Sequence, residues 1–250
     1  MSDIKLIVTD LDNTLLRRDK TVSAYTADVF RSIHERGVRM VFATARHPEG
    51  IQEYKNLLSP DAYILTGGCL VFADEELLQT HYLPEPQIWK LFAEVASQPT
   101  IRNVNVRSMT NMYSNVPKEG RICVDFRSPF PEKLMHGWLY TADDEFMKSI
   151  AERYPEFKFL YVSGQELYDI NPKDATKLNG IKTIAAHYGI DLSEIAAFGD
   201  DFNDIEMLTA CGIGVAMDNA IAECKSAADF ICGDCDDDGV AHWIENNLML

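Results

Sequence analysis

Apolar and polar positions follow two different periods along the first third of the chain. An apolar, β-branched run that begins at residue 4 has the length of a buried strand, and similar runs follow at residues 38–43 and 62–65. Apolar residues recur at helical spacing over residues 23–37, and Pro48 suits the first position of a second helix. The order β-α-β-α-β predicts parallel strands that are joined by right-handed crossovers.

The pattern changes at Pro84 and Pro86, which break the chain. From there to Pro172 it predicts two helices, over residues 88–96 and 143–153. Short strand-like pieces lie between and after these helices, such as residues 104–106, 122–126 and 157–162. A mixture of this kind between prolines predicts an inserted α+β domain with hinges at its ends.

The α/β pattern resumes at Asp174. Apolar residues on one helical face and a closing glycine predict a helix that ends at Gly189, and residues 195–198 form the next buried strand. Two further strand and helix pairs follow within residues 212–226 and 230–247. The two ends of the chain therefore predict a single α/β core.

The predicted domains differ in charge. We assign residues 1–82 and 170–250 to a discontinuous core domain, and residues 83–169 to the inserted domain. The whole chain carries 39 acidic and 23 basic side chains, a net charge of -16, of which the inserted domain contributes only -2, from ten basic and twelve acidic residues. Such an excess of acid argues against nucleic acid or an anionic membrane as a partner.

Composition and apolar run lengths narrow the class of protein. No apolar run approaches the roughly 18 residues that cross a membrane, and the first residues lack the long apolar stretch of a signal peptide. We therefore expect a cytoplasmic protein whose six cysteines are reduced thiols. The sequence does not indicate the oligomeric state.

Polar side chains follow several of the predicted core strands, where each strand ends, and one more lies at a helix start. Strand ends on one edge of a parallel sheet converge, so these groups are expected in one pocket. They are Asp10, Asp12, Thr44, Asp200, Asn203 and Asp204, with Lys177 at the helix start. Converging carboxylates repel unless a cation lies between them, and oxygen ligands favour Mg2+. A lysine and a threonine beside that cation suit a phosphate group.

Four motifs occur in a fixed order and resemble those of the haloacid dehalogenase superfamily. They read D-L-D-N-T at 10–14, F-A-T-A-R at 42–46, T-K-L-N-G-I at 176–181 and G-D-D-F-N-D-I-E-M-L at 199–208. The tail, with G-V-A-M-D-N-A at 214–220, A-A-D-F at 227–230 and D-D-G-V-A at 237–241, is similar to that of Cof-like, type IIB hydrolases. The resemblance implies a Rossmann-like core, and an inserted cap of type C2B that closes over the site and selects the leaving group.

The same resemblance implies the catalytic roles. Asp10 would attack phosphorus and become an aspartyl phosphate. Asp12 would protonate the leaving oxygen and then activate water. The Asp10 side chain, the Asp12 backbone carbonyl and Asp200 would ligate Mg2+.

Further residues are implied around the phosphoryl group. Leu11, Thr44, Lys177 and Asn203 would bind it, and Asp204 would hold Lys177 or a metal-bound water. Thr44 also admits a simpler interpretation as a helix-capping residue. Arg46 and His47 are candidates for the substrate-binding rim of the pocket.

Asp12 favours phosphate ester hydrolysis, because the dehalogenases of the superfamily lack this second acid and the metal. We therefore predict a Mg2+-dependent phosphatase of a small phosphorylated metabolite, such as a sugar phosphate or a phosphorylated cofactor. Two alternatives stay open. One is a metabolite-binding or regulatory protein with negligible hydrolysis, and the other is a phosphomutase.

Two features of the tail imitate metal sites. Residues 234–245 match the EF-hand loop pattern, with acids at Asp234, Asp236, Asp238 and Glu245, but a strand rather than a helix is predicted before them. We interpret this segment as a turn into the last helix. Cys232 and Cys235 form a C-x-x-C without a second ligand pair, and we interpret them as incidental thiols.

The inserted domain contains a basic stretch. Residues 101–133 carry six basic and three acidic side chains, among them Arg107 and Arg121. One interpretation is an ordinary solvated sheet edge. The other is a surface that receives an anionic or polyhydroxylated part of the substrate.

Overall fold

A computed structural model describes residues 4–162 and 165–249 of the chain. The chain divides into two compact units. One unit contains the chain up to Thr80 and from Thr176 onward, and the other contains His81–Ala175. Within the described residues, no helix combines the length and the apolar character needed to cross a membrane.

The first part of the larger unit alternates strands and helices and then continues with a hairpin. Its elements are β1 (Leu6–Thr9), α1 (Ala24–Glu35), β2 (Arg39–Ala43), α2 (Gln52–Leu58), β3 (Ala62–Leu65), β4 (Leu70–Ala73) and β5 (Glu76–Thr80). β1, β2 and β3 pair in parallel, in agreement with the predicted crossovers. β4 and β5 extend this sheet in antiparallel orientation and were not predicted.

The second unit is an α+β arrangement. Its elements are α3 (Gln87–Val95), β6 (Asn103–Ser108), β7 (Met112–Ser114), β8 (Ile122–Cys123), β9 (Leu134–Tyr140), α4 (Asp144–Arg153), β10 (Phe157–Val162) and β11 (Leu167–Pro172). The described strands form one sheet in the order β10-β11-β9-β6-β7-β8. Leu91 and Phe92 of α3, Ile150 of α4, and Val104 and Val106 of β6 belong to its separate apolar core.

One strand boundary and one domain boundary in this unit differ from the prediction. The strand predicted over residues 122–126 ends at Cys123, because the Asp125 carboxylate accepts the backbone N–H of Arg127 and the chain turns there. β11 continues to Pro172, beyond residue 169, where we had placed the end of the inserted domain.

The last part of the chain returns to the core. Its elements are α5 (Lys177–Tyr188), β12 (Ile195–Gly199), α6 (Ile205–Ala210), β13 (Ile213–Ala216), α7 (Ala222–Ala227), β14 (Phe230–Ile231) and α8 (Gly239–Leu248). Among the described residues the core sheet has eight strands, in the order β14-β13-β12-β1-β2-β3-β4-β5. This parallel-dominated sheet with its helices confirms the predicted α/β fold class.

The helix boundaries follow from local chemistry. The Ser23 hydroxyl accepts the N–H of Thr26 and starts α1, which ends just before Gly37 at a φ of +85°. The Thr176 hydroxyl accepts the N–H of Asn179 in the same way and starts α5. This cap places Lys177 in the first turn, at the edge of the sheet where β1 and β12 end.

Candidate active site

A lysine and two aspartates form a buried ion-pair cluster beyond the ends of β1 and β12. The Lys177 Nζ atom lies 2.7 Å from Asp10 Oδ1 and 2.5 Å from Asp204 Oδ1. The side chains of Lys177 and Asp204 are 1% and 0% exposed. Because charges at this depth are costly unless they are paired, the three groups depend on one another.

Asp204 is held in place by the backbone of the loop that precedes it. Its Oδ2 atom accepts the N–H groups of Asp200 and Asp201, at 3.0 and 3.1 Å. Gly199 makes this approach possible, since a Cβ atom there would lie 2.4 Å from the Asp204 Cβ atom. Both Asp204 oxygens are therefore occupied by contacts within the protein.

Asp200 completes the acidic group. Its Oδ1 atom accepts a hydrogen bond of 2.6 Å from the Thr14 hydroxyl, which is itself buried. One carboxylate oxygen each of Asp10, Asp200 and Asp204 lie within 4.8 Å of one another. The motifs at the two ends of the sequence thus meet at this edge of the sheet.

The buried charges shift the pKa of each group. Burial raises the pKa of Asp10, and the positive charge of Lys177 lowers it. The negative charges of Asp204 and Asp200 raise it further, so that the net pKa lies above the usual range of an aspartate. Burial likewise raises the pKa of Asp200, although the Thr14 hydrogen bond opposes it. Burial alone would lower the pKa of Lys177, but the charges of Asp10 and Asp204 outweigh it and raise the value.

This donor set fits a hard divalent cation. It consists only of carboxylate oxygens, and the raised pKa values of Asp10 and Asp200 show that a positive charge beside them would be favourable. Since the oxygens of Asp204 already bind Lys177 and the backbone, Asp10 and Asp200 are better placed to ligate the cation directly. These are the two side chains that the family resemblance implied as ligands.

Asp12 lies in a different environment from Asp10. The Arg46 guanidinium binds it with both arms, from Nε to Oδ2 at 2.7 Å and from Nη2 to Oδ1 at 2.8 Å. The Lys20 Nζ atom adds a contact of 2.8 Å to Oδ1. Burial raises the pKa of Asp12, but the hydrogen bonds and charges of Arg46 and Lys20 outweigh it and lower the pKa to about 2.

The other predicted site residues are also at this edge of the core. Thr44 is buried, and its hydroxyl accepts the backbone N–H of Arg46 at 3.1 Å, which supports a local turn. The Leu11 side chain is fully buried, so only its backbone is available to a ligand. Asn203 is half-buried in a 3-10 turn, and His47 Nε2 lies 3.4 Å from the Thr66 hydroxyl.

Two residues near the acidic cluster, Thr14 and Lys20, were not among the predicted site residues, and one predicted residue, Arg46, makes a contact that was not expected. Thr14 belongs to the first motif, and its proximity to Asp200 could have been inferred from the adjacent strands. Lys20 gave no signal, because nothing in the sequence indicates which loop residue turns back to Asp12. Arg46 was predicted at the substrate rim, whereas the structure places its guanidinium on Asp12.

The acidic tail binds arginines of the chain itself. The Arg18 guanidinium contacts the carboxylates of Asp234 and Asp236, and Arg17 Nη2 lies 2.7 Å from Asp238. A short strand, β14, precedes this loop, as predicted, whereas an EF-hand has a helix at this place. The segment is a 3-10 turn that leads into α8, and its carboxylates bind Arg17 and Arg18 of the loop after β1.

The two C-x-x-C cysteines are buried. Burial raises the pKa of Cys232 to about 12 and that of Cys235 to about 11, and neither forms a disulfide. Such thiols are poor nucleophiles at neutral pH.

Comparison with known proteins places this geometry in a family. The model of the haloacid dehalogenase-like hydrolases matches residues 7–244. The putative phosphatase YkrA of Bacillus subtilis is 28% identical, over 99% of each chain. The HMP-PP phosphatase of Serratia proteamaculans is 27% identical, over 98% of this chain and 95% of that protein.

Solved structures share the fold. BT1666 of Bacteroides thetaiotaomicron, a phosphatase of the haloalkanoate superfamily, has a TM-score of 0.87 at 25% identity, over 97% of this chain and 94% of that one. The subclass IIB sugar phosphatase BT4131 has a TM-score of 0.87 at 24% identity, over 98% and 100%. The family match confirms the predicted hydrolase, and the chain belongs to the haloacid dehalogenase-like hydrolases.

Proposed function

We propose that this protein is a Mg2+-dependent phosphatase that hydrolyses a small phosphorylated metabolite through an aspartyl phosphate. The observation that carries the proposal is the buried cluster of Asp10, Lys177 and Asp204 with Asp200 beside it. It combines a carboxylate nucleophile, a fixed positive charge and a set of oxygen ligands in one place. Relatives support the substrate class, since their names refer to HMP-PP, a phosphoribitylamino uracil and sugar phosphates.

The first half of the reaction transfers the phosphoryl group to the protein. An Asp10 carboxylate oxygen attacks phosphorus while the bond from phosphorus to the leaving oxygen breaks. Asp12 is a carboxylate beside Arg46 and Lys20 in the free protein, and the negative charge of the bound phosphate ester would raise its pKa, so that it takes up a proton and passes it to the leaving oxygen. Lys177 balances the negative charge of the reacting phosphoryl group and keeps Asp10 in position. Asp10, Asp200 and the Asp12 backbone carbonyl would hold Mg2+, which would supply neutralisation of the negative charge of the phosphoryl group.

The second half restores the nucleophile. Asp12, now a carboxylate, accepts a proton from water as that water attacks phosphorus, and the bond between phosphorus and Asp10 breaks to release inorganic phosphate. The contacts of Asp12 with Arg46 and Lys20 favour its carboxylate form, which is the form that this half requires. Thr44, Asn203 and the Leu11 backbone would orient the phosphoryl group during both halves.

We assign the second unit, His81–Ala175, the role of a C2B-type cap that selects the leaving group. Asn105, Trp138 and Asp169 are directly opposite one another on β6, β9 and β11, so their side chains share one face of the sheet. The apolar core of this unit lies on the other face, with Val104 and Val106. Arg121 lies over the Trp138 ring, 5.2 Å from its centroid, and donates to Asn105. A polar face of this kind suits a hydroxylated or anionic leaving group.

The proposal is tested with generic phosphate esters, with and without Mg2+, on the wild type and the Asp10→Asn variant. We expect Mg2+-dependent release of phosphate from the wild type and none from Asp10→Asn. The exposed Asp28→Asn, which makes the same chemical change in α1, is the matched control and should retain activity.

Other outcomes identify the alternatives. Tight binding of phosphorylated metabolites without turnover would indicate a binding or regulatory protein. Transfer of phosphate to a second sugar hydroxyl instead of water would indicate a phosphomutase. Full activity in Asp10→Asn would refute the assignment of the nucleophile.

A further inference from the structure

Two cations hold the Asp12 carboxylate, and they come from separate segments of the chain. Arg46 follows β2 and reaches Asp12 with two nitrogens, while Lys20 lies in the loop after β1. Long cationic side chains adopt many rotamers, so their position at Asp12 has to be fixed by other contacts.

Tyr54 of α2 contacts both of the segments that supply these cations. Its hydroxyl donates a hydrogen bond of 2.9 Å to the backbone carbonyl of Lys20. The Arg46 guanidinium lies over its ring, 5.0 Å from the centroid. The tyrosine itself is 7% exposed, and its hydrogen bond to Lys20 is partly buried.

Lys20 has an unusual backbone conformation. Lys20 has a φ of +68°, in the left-handed region that side chains with a Cβ atom rarely adopt. It closes a tight turn, in which its N–H donates to the Arg17 carbonyl at 2.8 Å. The Tyr54 hydroxyl therefore links this turn to α2, beside the contacts that Arg17 and Arg18 make with the acidic tail.

We propose that Tyr54 is a positioning residue for Asp12, acting through Lys20 and Arg46. The inference rests on the proposed function, because it concerns the proton that Asp12 gives to the leaving group. A poor leaving group, such as an alkoxide, needs that proton, whereas 4-nitrophenolate departs without it. Misplacement of Asp12 should therefore harm the hydrolysis of alkyl phosphates more than that of 4-nitrophenyl phosphate.

The test compares kcat/KM for 4-nitrophenyl phosphate and for the alkyl phosphate that the wild type hydrolyses best. This parameter reports the steps up to the loss of the leaving group. Tyr54→Phe keeps the ring beneath Arg46 and removes only the hydroxyl. We expect kcat/KM for the alkyl ester to fall about three- to tenfold, as for the loss of one hydrogen bond, with little change for the aryl ester.

A matched control exists in the same unit. Tyr63 is 4% exposed, donates its hydroxyl to Glu75 at 2.8 Å, and has Lys55 Nζ 4.9 Å from its ring centroid. It thus makes the same two kinds of contact as Tyr54, but not with a partner of Asp12. Tyr63→Phe should leave the ratio of the two kcat/KM values unchanged.

A second comparison tests the route through Lys20. If Tyr54 acts by placing the Lys20 side chain, Tyr54→Phe should add little to the loss on the alkyl ester in a Lys20→Ala background. An equal loss on both esters, no loss on either, or the same selective loss in Tyr63→Phe would overturn the inference. Absence of Mg2+-dependent hydrolysis in the wild type would instead refute the proposed function, and the inference with it.

Discussion

Lys177 is the positive charge on which the two buried carboxylates depend. Lys177→Met removes that charge and preserves most of the volume of the side chain. The Asp204 carboxylate, which is 0% exposed, would then lose the positive charge that it shares with Asp10. Removal of one partner of a buried ion pair typically costs about 3–5 kcal/mol, and we expect a loss of this size in the free energy of unfolding.

The Asp204→Asn variant gives a way to separate the lost charge pair from lost packing. When both substitutions are present, neither an unpaired Asp204 carboxylate nor its lysine remains. The double variant should therefore be less destabilised than the sum of the two single variants, by about 1–3 kcal/mol. The exposed Lys182→Met, on the same helix, should change stability by less than about 0.5 kcal/mol.

The assay must report on the core alone, because the two units need not unfold together. Trp89 and Trp138 lie in the second unit, while Trp243 of α8 lies in the core against Phe198, with 5.4 Å between ring centroids. A Trp89→Phe, Trp138→Phe background makes Trp243 the reporter in urea titrations, which are performed in EDTA so that no metal replaces the lost charge. Strictly additive losses, or a cost below about 1 kcal/mol for Lys177→Met, would refute this account of the cluster.

Two further predictions concern parts of the chain outside this cluster. Arg121→Glu should raise KM for an anionic alkyl phosphate about tenfold with little change in kcat, because it reverses a charge on the polar sheet face of the second unit. Arg127→Glu is the control, since Arg127 pairs with the exposed Asp125. Unaltered kinetics in Arg121→Glu would contradict the prediction. Calorimetry should give the same Ca2+ signal for the wild type and for an Asp236→Ala, Glu245→Ala variant, because Arg18 already binds the carboxylates of Asp234 and Asp236. A Ca2+ signal that the wild type gives and this variant lacks would restore the EF-hand hypothesis.

The convergence of Asp10, Thr44 and Asp200 could be predicted from the sequence because it depends only on topology. Each follows an apolar run of strand length, and parallel strands deliver their carboxyl ends to one edge of a sheet. The cap at Thr176 then fixes where Lys177 begins its helix. The apolar strand runs, the helix cap and the convergence of parallel strand ends were therefore sufficient to predict that these groups lie close together.

The partners of Asp12 could not be predicted in this way. Arg46 follows a strand end like the others, but its long side chain reaches either outward to a substrate or inward to Asp12, and the pattern does not distinguish the two. Lys20 and Tyr54 are 34 residues apart in a contact that depends on the turn at Lys20. The β4–β5 hairpin was missed for another reason: Leu70–Ala73 is an apolar run like that at residues 62–65, but its partner Glu76–Thr80 shows no regular alternation of apolar and polar residues.

The position of β1 in the middle of the core sheet has a consequence for biosynthesis. β1 pairs on one side with β2, but its other neighbour is β12, and Leu6 lies opposite Ile195. At a translation rate of about 5–20 residues per second, one edge of β1 waits roughly ten to forty seconds for its partner. During this interval the residues of the second unit, which has its own apolar core, leave the ribosome first. The nascent chain therefore carries an unpaired edge on a central strand, which is open to pairing with other chains until β12, in the last quarter of the sequence, is made.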